Sequence, residues 1–182
     1  VTPDDLSVFE DGVEQKIEGF EEALTPISVM LVLDESGSMR KDAGAVADAA
    51  RTFAKQMPGK DRVGVMMFAD KPVLVQDLST IREFVLRAID KYQTGGGTAL
   101  YDALTDSLEK LKKATGRTAI VVMTDGRDED NPGKGPGSVH TLDDVLTTLK
   151  ETGTTVYAIG LGPNVDRATL EQLATASSGD AY

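Results

Sequence analysis

Short apolar runs alternate with amphipathic stretches from Ile27 onward, and this rhythm predicts a sheet covered by helices. The apolar run "ISVMLVL" is followed by "AGAVADAARTFAKQM", whose apolar residues recur at helical spacing. Later apolar runs that alternate with helical stretches along the chain are "RVGVMMFA", "TAIVVMT" and "TTVYAIGLG". This order indicates an α/β fold: a doubly wound, mainly parallel sheet with helices on both faces.

One pair of strands departs from the parallel pattern. Only Asp70, Lys71 and Pro72 separate "RVGVMMFA" from "VLVQDL". A parallel connection needs a crossover of about a dozen residues or more, so this pair must be an antiparallel hairpin. We therefore expect one antiparallel strand at an edge of the sheet.

Several helix ends are marked by their residue types. Thr141 and Asp144 resemble an acidic capping box, Gly153 suits the C-terminal end of the same helix, and Asp166 precedes the last helix. A further helix is predicted from leucines that share one stripe: Leu100, Leu104, Leu108 and Leu111.

The beginning of the chain follows a different pattern. The stretch "LSVFEDGVEQKIEGF" flanks Asp11 and Gly12 with partly alternating residues, which is typical of a tight β-hairpin. We expect residues 1–26 to form a hairpin extension and residues 27–182 to form one domain. The chain begins at Val1 and ends at Tyr182 in what resembles the start of a strand, so we expect it to be part of a longer polypeptide.

Composition and charge narrow the classes of function. A chain of 182 residues with 40% hydrophobic residues can bury the core of a single domain. The formal net charge of -11 argues against binding to nucleic acid and favours a cation as partner. The absence of cysteine excludes disulfides and thiolate chemistry. No apolar run approaches the roughly 20 residues of a spanning helix, so we expect no direct membrane insertion.

Oxygen-bearing side chains follow three segments that should meet at one edge of the sheet. Asp34, Ser36 and Ser38 come after the first strand of the sheet, Thr98 follows three glycines, and Asp125 ends "TAIVVMT". Ligands of doubly wound sheets bind at the carboxyl ends of the strands. Hard oxygen ligands suit Mg²⁺, Mn²⁺ or Ca²⁺.

Each of these elements also has a simpler interpretation when it is taken alone. Residues 34–38 suit a solvated turn, Thr98 suits a helix cap, and Asp125 with Gly126 suits a β-turn. The convergence of the three segments distinguishes the metal interpretation from these alternatives.

The segments "DESGS", "TGGGT" and "TDG" resemble the metal-ion-dependent adhesion site of von Willebrand factor type A domains, with their Rossmann-like fold. The resemblance covers about residues 27–182. It implies these metal ligands: Asp34, Ser36, Ser38, Thr98 and Asp125. It also implies a non-enzymatic adhesion module whose ion captures an acidic residue of a protein partner. We expect Arg40, Tyr101 and Arg127 to contact that partner.

The N-terminal "LSVFEDGVEQKIEGF" is further similar to bacterial von Willebrand factor A-related domains of acidobacterial type, which are often parts of exported proteins. This similarity implies a periplasmic, cell-surface or secreted location.

Two other functions stay open at this point. Asp34 follows a strand, as the nucleophile of an aspartyl-phosphate phosphatase does, but those enzymes need a second acid where this chain has Ser36. Some relatives serve as docking subunits of ATP-driven complexes, and the same metal site suits that role.

The remaining polar segments predict no further site. "DEDNPG" imitates the start of a calcium-binding EF-hand loop, but Pro132 and Val139 stand at its fifth and twelfth positions. We interpret Asp128, Glu129 and Asp130 as a solvated acidic loop, with enrichment of cations near the site as the alternative, and His140 as a surface residue.

Overall fold

The computed structural model describes residues 6–17, 25–131, 133–163 and 165–182. In chain order its elements are β1 (Val8–Glu10), β2 (Val13–Gln15), β3 (Ile27–Asp34), a 3-10 turn (Gly37–Lys41), α1 (Ala43–Gln56), β4 (Arg62–Phe68), β5 (Pro72–Ser79), α2 (Arg82–Ile89), α3 (Leu100–Leu111), β6 (Arg117–Thr124), α4 (Leu142–Thr152), β7 (Thr155–Gly160) and α5 (Arg167–Ala176).

The central sheet has five strands in the spatial order β5-β4-β3-β6-β7. β3 pairs in parallel with both β4 and β6, and β6 pairs in parallel with β7. β5 pairs antiparallel with β4, because only residues 69–71 connect the two strands. The prediction of a mainly parallel sheet with one antiparallel edge strand is confirmed.

Two apolar layers cover the two faces of the sheet. Alternate residues of β3 point to opposite faces: Val29, Leu31 and Leu33 pack with α1 and α2, whereas Met30 and Val32 pack with α3, α4 and α5. All five of these side chains are at most 2% exposed. The predicted leucine stripe of α3 is buried in the second layer, so helices cover both faces as expected.

Side chains define the ends of α4 and α5 as predicted. Thr141 accepts a hydrogen bond from the backbone N–H of Asp144, and the Asp144 carboxylate accepts one from the backbone N–H of Thr141. Gly153 ends α4 in the left-handed region, with φ 63°. Asp166 accepts a hydrogen bond of 3.2 Å from the Thr169 N–H at the start of α5.

The predicted hairpin is present near the start of the chain. β1 and β2 pair antiparallel, and Asp11 and Gly12 both have positive φ, 50° and 82°, as a tight primed turn requires. The strand residues are all exposed. Residues 1–5 and 18–24 of the predicted extension lie outside the described residues, so the boundary between residues 26 and 27 stays a prediction.

The end of the chain extends the sheet at β7. Ala181 forms an isolated parallel bridge with Ala158, and the N–H of Gly160 donates to the carbonyl of Tyr182 at 2.8 Å. These contacts agree with the interpretation of the last residues as the beginning of a strand.

The capping box of α4 yields a stability prediction. Thr141→Ala removes the side-chain acceptor at the start of the helix, and we expect the free energy of unfolding to fall by about 1 kcal/mol. Urea denaturation followed by circular dichroism measures the change. Thr147→Ala is the matched control, because its exposed hydroxyl donates to the Asp143 carbonyl within the same helix and caps nothing. Equal losses in both variants would contradict the prediction.

Candidate metal centre

Two of the predicted ligands lie at the carboxyl ends of neighbouring parallel strands. Asp34 is the last residue of β3, and Asp125 directly follows β6. The pairing of Leu33 with Met123 brings the two strand ends side by side. The sheet therefore places both acids at one edge, where doubly wound proteins bind their ligands.

The Asp34 carboxylate is fully buried and fixed by two hydrogen bonds. Its Oδ1 accepts from the Ser36 N–H at 2.8 Å, and its Oδ2 accepts from the Thr124 hydroxyl at 2.6 Å. Burial raises the pKa of Asp34 to about 6, although the hydrogen bonds from Ser36 and Thr124 lower it. The nearby Asp125 charge raises this pKa further.

The serines lie together on the turn that follows β3. Their Oγ atoms are 2.9 Å apart; Ser36 is buried and Ser38 is exposed. The 3-10 turn Gly37–Lys41 begins between them, and the Gly37 N–H donates to the Gly96 carbonyl at 3.1 Å. The serine turn is thus tied to the glycine segment that leads to Thr98.

Thr98 is held by the loop that follows β6. Its N–H donates to the Glu129 carbonyl at 2.8 Å, and the Glu129 N–H donates back to the Thr98 carbonyl at 3.2 Å. α3 begins at Leu100, and its N-cap residue, Ala99, makes no side-chain capping hydrogen bond. The interpretation of Thr98 as a helix cap is therefore wrong, and the bridge to Glu129 fixes its position instead.

The glycines before Thr98 allow a close approach of two backbones. Gly96 has φ 87°, a conformation that side chains disfavour. A Cβ on Gly97 would lie 2.9 Å from the Glu129 carbonyl oxygen. The Gly97 N–H also donates to Asp70 Oδ1 at 2.7 Å, which fixes the segment from its other side.

Two clefts meet at Ser38. Ser36, Ser38 and Thr98 line a cleft of about 240 Å³. Ser38 and Asp125 line a neighbouring cleft of about 390 Å³. Asp125 is 6% exposed, and its Oδ1 accepts a hydrogen bond from the Arg127 N–H at 3.1 Å. The predicted ligand residues thus lie around one region of the surface, with Asp34 buried beneath it.

The residues predicted to contact a partner differ in their positions. Arg40 is exposed and lines the larger cleft, and Arg127 is exposed beside Asp125. Tyr101 is half-buried, its side chain contacts Thr169 of α5, and it lines neither cleft. Burial raises the pKa of the Tyr101 hydroxyl.

The sequence interpretation missed residues that organise the site, among them Thr124 and Asp128. Thr124 holds the Asp34 carboxylate, and its place beside Asp34 follows from the register of parallel β3 and β6. Asp128 accepts hydrogen bonds from the N–H groups of Tyr101, Gly137 and Ser138, at 3.2, 2.8 and 2.9 Å. The interpretation of Asp128 as part of a solvated acidic loop is wrong, because its carboxylate fastens that loop to the start of α3.

His140 is exposed, as expected for a surface residue, but it is paired. Its Nδ1 lies 2.7 Å from Asp102 Oδ1. Partial burial raises the pKa of Asp102, but hydrogen bonds from the N–H groups of His140 and Val139 and from the His140 ring outweigh it and lower that pKa below its usual value. The pair links α3 to the loop before α4, and neither residue lines the two clefts.

Comparison with known proteins identifies the family. The model of the von Willebrand factor type A (VWA) domain family matches residues 28–182. The chain belongs to this family. The expected membership of the VWA family is thereby confirmed, whereas the intact metal-ion-dependent adhesion site and the bacterial subgroup stay predictions.

Two known proteins illustrate what this VWA domain is similar to. A UPF0353 protein of Mycolicibacterium vanbaalenii is 27% identical in an alignment of 185 positions. This alignment covers 85% of this chain and 54% of that protein. The chain thus spans about half the length of this relative. A von Willebrand factor type A structure from Catenulispora acidiphila superposes with TM-score 0.73 at 16% identity, over 86% of this chain and 38% of that chain.

A structure of three N-terminal domains of the type V pili tip protein Mfa5 from Porphyromonas gingivalis also has this fold. Its TM-score is 0.72 at 14% identity, over 85% of this chain and 46% of that chain. At such identities the likeness shows the fold alone. No helix within the described residues is long and apolar enough to cross a bilayer.

The donor set of the VWA domain fits a hard divalent cation. No cluster of three or more His, Cys, Asp and Glu side chains suited to a metal occurs among the described residues, and three of the five predicted ligands carry hydroxyls instead. Adjacent ligands of octahedral Mg²⁺, each 2.0–2.1 Å from the ion, are about 2.9 Å apart. The two serine Oγ atoms, which are 2.9 Å apart in a hydrogen bond, are compatible with that spacing.

The raised pKa of Asp34 predicts a pH dependence of stability in the metal-free protein. Because the folded-state pKa of about 6 exceeds the unfolded value of 3.8, the folded state binds the proton more tightly. This contribution to stability is fully present below about pH 4 and is lost as the pH rises through 6, by on the order of 2–3 kcal/mol.

Urea denaturation between pH 4 and 7 in the presence of a chelator measures this effect. We expect Asp34→Asn to remove that part of the pH dependence, because an amide does not titrate in this range. The difference between the two pH profiles isolates Asp34 from the other carboxylates. Parallel profiles would contradict the prediction.

Proposed function

We propose that this VWA domain is a non-enzymatic, protein-binding and adhesion module that uses a divalent cation to capture an acidic residue of a protein partner. The proposed ion is Mg²⁺, or Mn²⁺ or Ca²⁺, and its proposed ligands are Asp34, Ser36, Ser38, Thr98 and Asp125. The observation that carries the proposal is the meeting of paired serine hydroxyls, a buried carboxylate and two further oxygen-bearing residues at one edge of the sheet.

The charge of the site supports capture of an anion. Asp34 is buried with both carboxylate oxygens in hydrogen bonds, so we propose that it acts on the ion through water. Asp125 then supplies the other carboxylate, and the remaining donors are neutral hydroxyls. A divalent cation held in this way offers a Lewis-acidic position to the carboxylate oxygen of a partner.

The surroundings of Asp34 support a binding role over phosphoryl transfer. A nucleophilic carboxylate must present a free oxygen to phosphorus. Asp34 is 0% exposed, and the second acid that such phosphatases require is replaced by Ser36, whose N–H holds Oδ1. We therefore propose no enzymatic activity for the domain.

The net charge and the N-terminal sequence support the choice of partner and location. A net charge of -11 disfavours nucleic acid, so we propose a protein that supplies a carboxylate. The resemblance of the N-terminal hairpin to bacterial domains that are often parts of exported proteins supports a proposed exported location for this domain.

Mg²⁺ should stabilise the folded protein through Asp34. Because the ion would bind only the folded state, a free Mg²⁺ concentration of a hundred times the dissociation constant adds about 2.7 kcal/mol to the free energy of unfolding. We expect Asp34→Asn to abolish this gain and to leave the circular dichroism spectrum unchanged. Asp106→Asn is the matched control, because Asp106 is an exposed acid on α3. Thermal denaturation with Mg²⁺ or chelator measures the gain, and stabilisation of the Asp34 variant by Mg²⁺ contradicts the proposal.

Variants of Thr98 give a second test, which distinguishes the loss of a ligand oxygen from a change in side-chain size. Thr98→Val keeps the size of this buried side chain and removes its oxygen, so we expect the affinity for Mg²⁺ to fall about tenfold or more. Thr98→Ser keeps the oxygen and should retain most of that affinity. Both variants preserve the backbone bridge to Glu129. Isothermal titration with Mg²⁺ and Mn²⁺ measures both variants, and equal affinities would remove Thr98 from the ligand set.

A further inference from the structure

We infer that the partner segment crosses the site in a fixed direction, with its acidic residue over Ser38, a basic side chain on one flank and an apolar side chain on the other. This inference rests on the proposed function and specifies the partner of the same site. We name the cleft of about 240 Å³ beside Thr98, Glu129 and Asp130 the acidic cleft. We name the cleft of about 390 Å³ beside Met39, Leu161 and Pro163 the apolar cleft.

The acidic cleft carries negative charge on a wall that is already ordered. The backbone of Glu129 is bridged to Thr98. Asp130 Oδ1 accepts hydrogen bonds from the N–H groups of Lys134 and Gly135, at 2.6 and 3.0 Å. These hydrogen bonds hold the pKa of Asp130 below its usual value, so its charge persists at neutral pH. Such a wall attracts a lysine or arginine of the partner.

The apolar cleft has the opposite character. Met39 is buried at its base, and Leu161 and Pro163 form its side. Leu161 is fixed by its N–H, which donates to the Thr124 carbonyl at 3.0 Å. An apolar side chain of the partner gains free energy by leaving water at this wall.

The apolar cleft offers a basic side chain no net attraction, which disfavours the reverse direction of binding. Arg40 and Lys41 line it together with two acids, Asp42 and the proposed ion ligand Asp125. A basic residue of the partner therefore gains attraction at the acidic cleft but not here, and this difference sets the direction.

The place of Ser38 between the clefts gives the segment its order. Ser38 lines both clefts, so a carboxylate captured there has the acidic cleft on one side and the apolar cleft on the other. Successive residues of an extended segment are about 3.3 Å apart, so residues one or two positions from the central acid reach the two clefts. The preferred partner segment is therefore basic, then acidic, then apolar across the site.

Positional scanning peptides test this order with the whole 182-residue chain. The probes are extended peptides with a fixed central aspartate and randomised residues on both sides, bound in Mg²⁺ and, in parallel, in chelator. We expect Lys and Arg to be enriched on one side of the aspartate and Leu, Met and Phe on the other, only in Mg²⁺.

Variants of the two clefts assign each preference to its wall. We expect Glu129→Gln to weaken the preference for a basic residue about two- to fivefold. Leu161→Ser should weaken the preference for an apolar residue about tenfold, and leave the basic preference unchanged. Lys55→Gln is the control, because Lys55 is exposed in the last turn of α1.

The possible results separate this inference from the proposed function. If no aspartate peptide binds in Mg²⁺, or if binding is the same in chelator, the proposed function fails and this inference with it. If binding depends on Mg²⁺ but the two sides show the same preferences, this inference alone is overturned. Preferences that survive both Glu129→Gln and Leu161→Ser also overturn it.

Discussion

The parallel pairing of β3 with β6 is the constraint on which the candidate metal centre depends. Because Leu33 lies opposite Met123, Asp34 reaches the Thr124 hydroxyl and lies near the Asp125 charge. A shift of one residue along either strand would turn its side chains to the other face of the sheet. The buried alternation of β3 between two apolar layers prevents that shift, so core packing fixes the geometry of the site.

A buried carboxylate without a basic partner costs free energy, and Asp34 is such a group. Its hydrogen bonds among the described residues come from an N–H and a hydroxyl, and the charge of Asp125, which raises its pKa, is also negative. Perturbed acids of this kind concentrate at functional sites. A bound cation would offset the repulsion between the two acids, which gives the proposed ion a role in stability as well as in binding.

The sequence predicted features that follow from local patterns and from the topology of a parallel sheet, and it missed individual side-chain contacts between distant segments. The β5 hairpin, the α4 capping box and the meeting of the three motif segments followed from short connections, residue types and the parallel sheet. Asp128 was misinterpreted because an acid in a glycine-rich loop has the same local signature whether it is solvated or holds N–H groups of another element. The position of the Tyr101 side chain was also not predictable from the sequence. Burial of the leucine stripe sets the rotation of α3 about its axis, and this rotation turns the tyrosine ring toward α5.

The backbone bridge between Thr98 and Glu129 links two properties that are usually separable. Thr98 is a proposed ion ligand, and Glu129 belongs to the wall of the acidic cleft, so the same pair of hydrogen bonds positions both. A partner that pulls on the acidic wall therefore acts on the position of a ligand hydroxyl. By thermodynamic reciprocity, the factor by which the partner changes the affinity for the ion equals the factor by which the ion changes the affinity for the partner. Cation affinity and partner selectivity are thus expected to be coupled through one short segment of backbone.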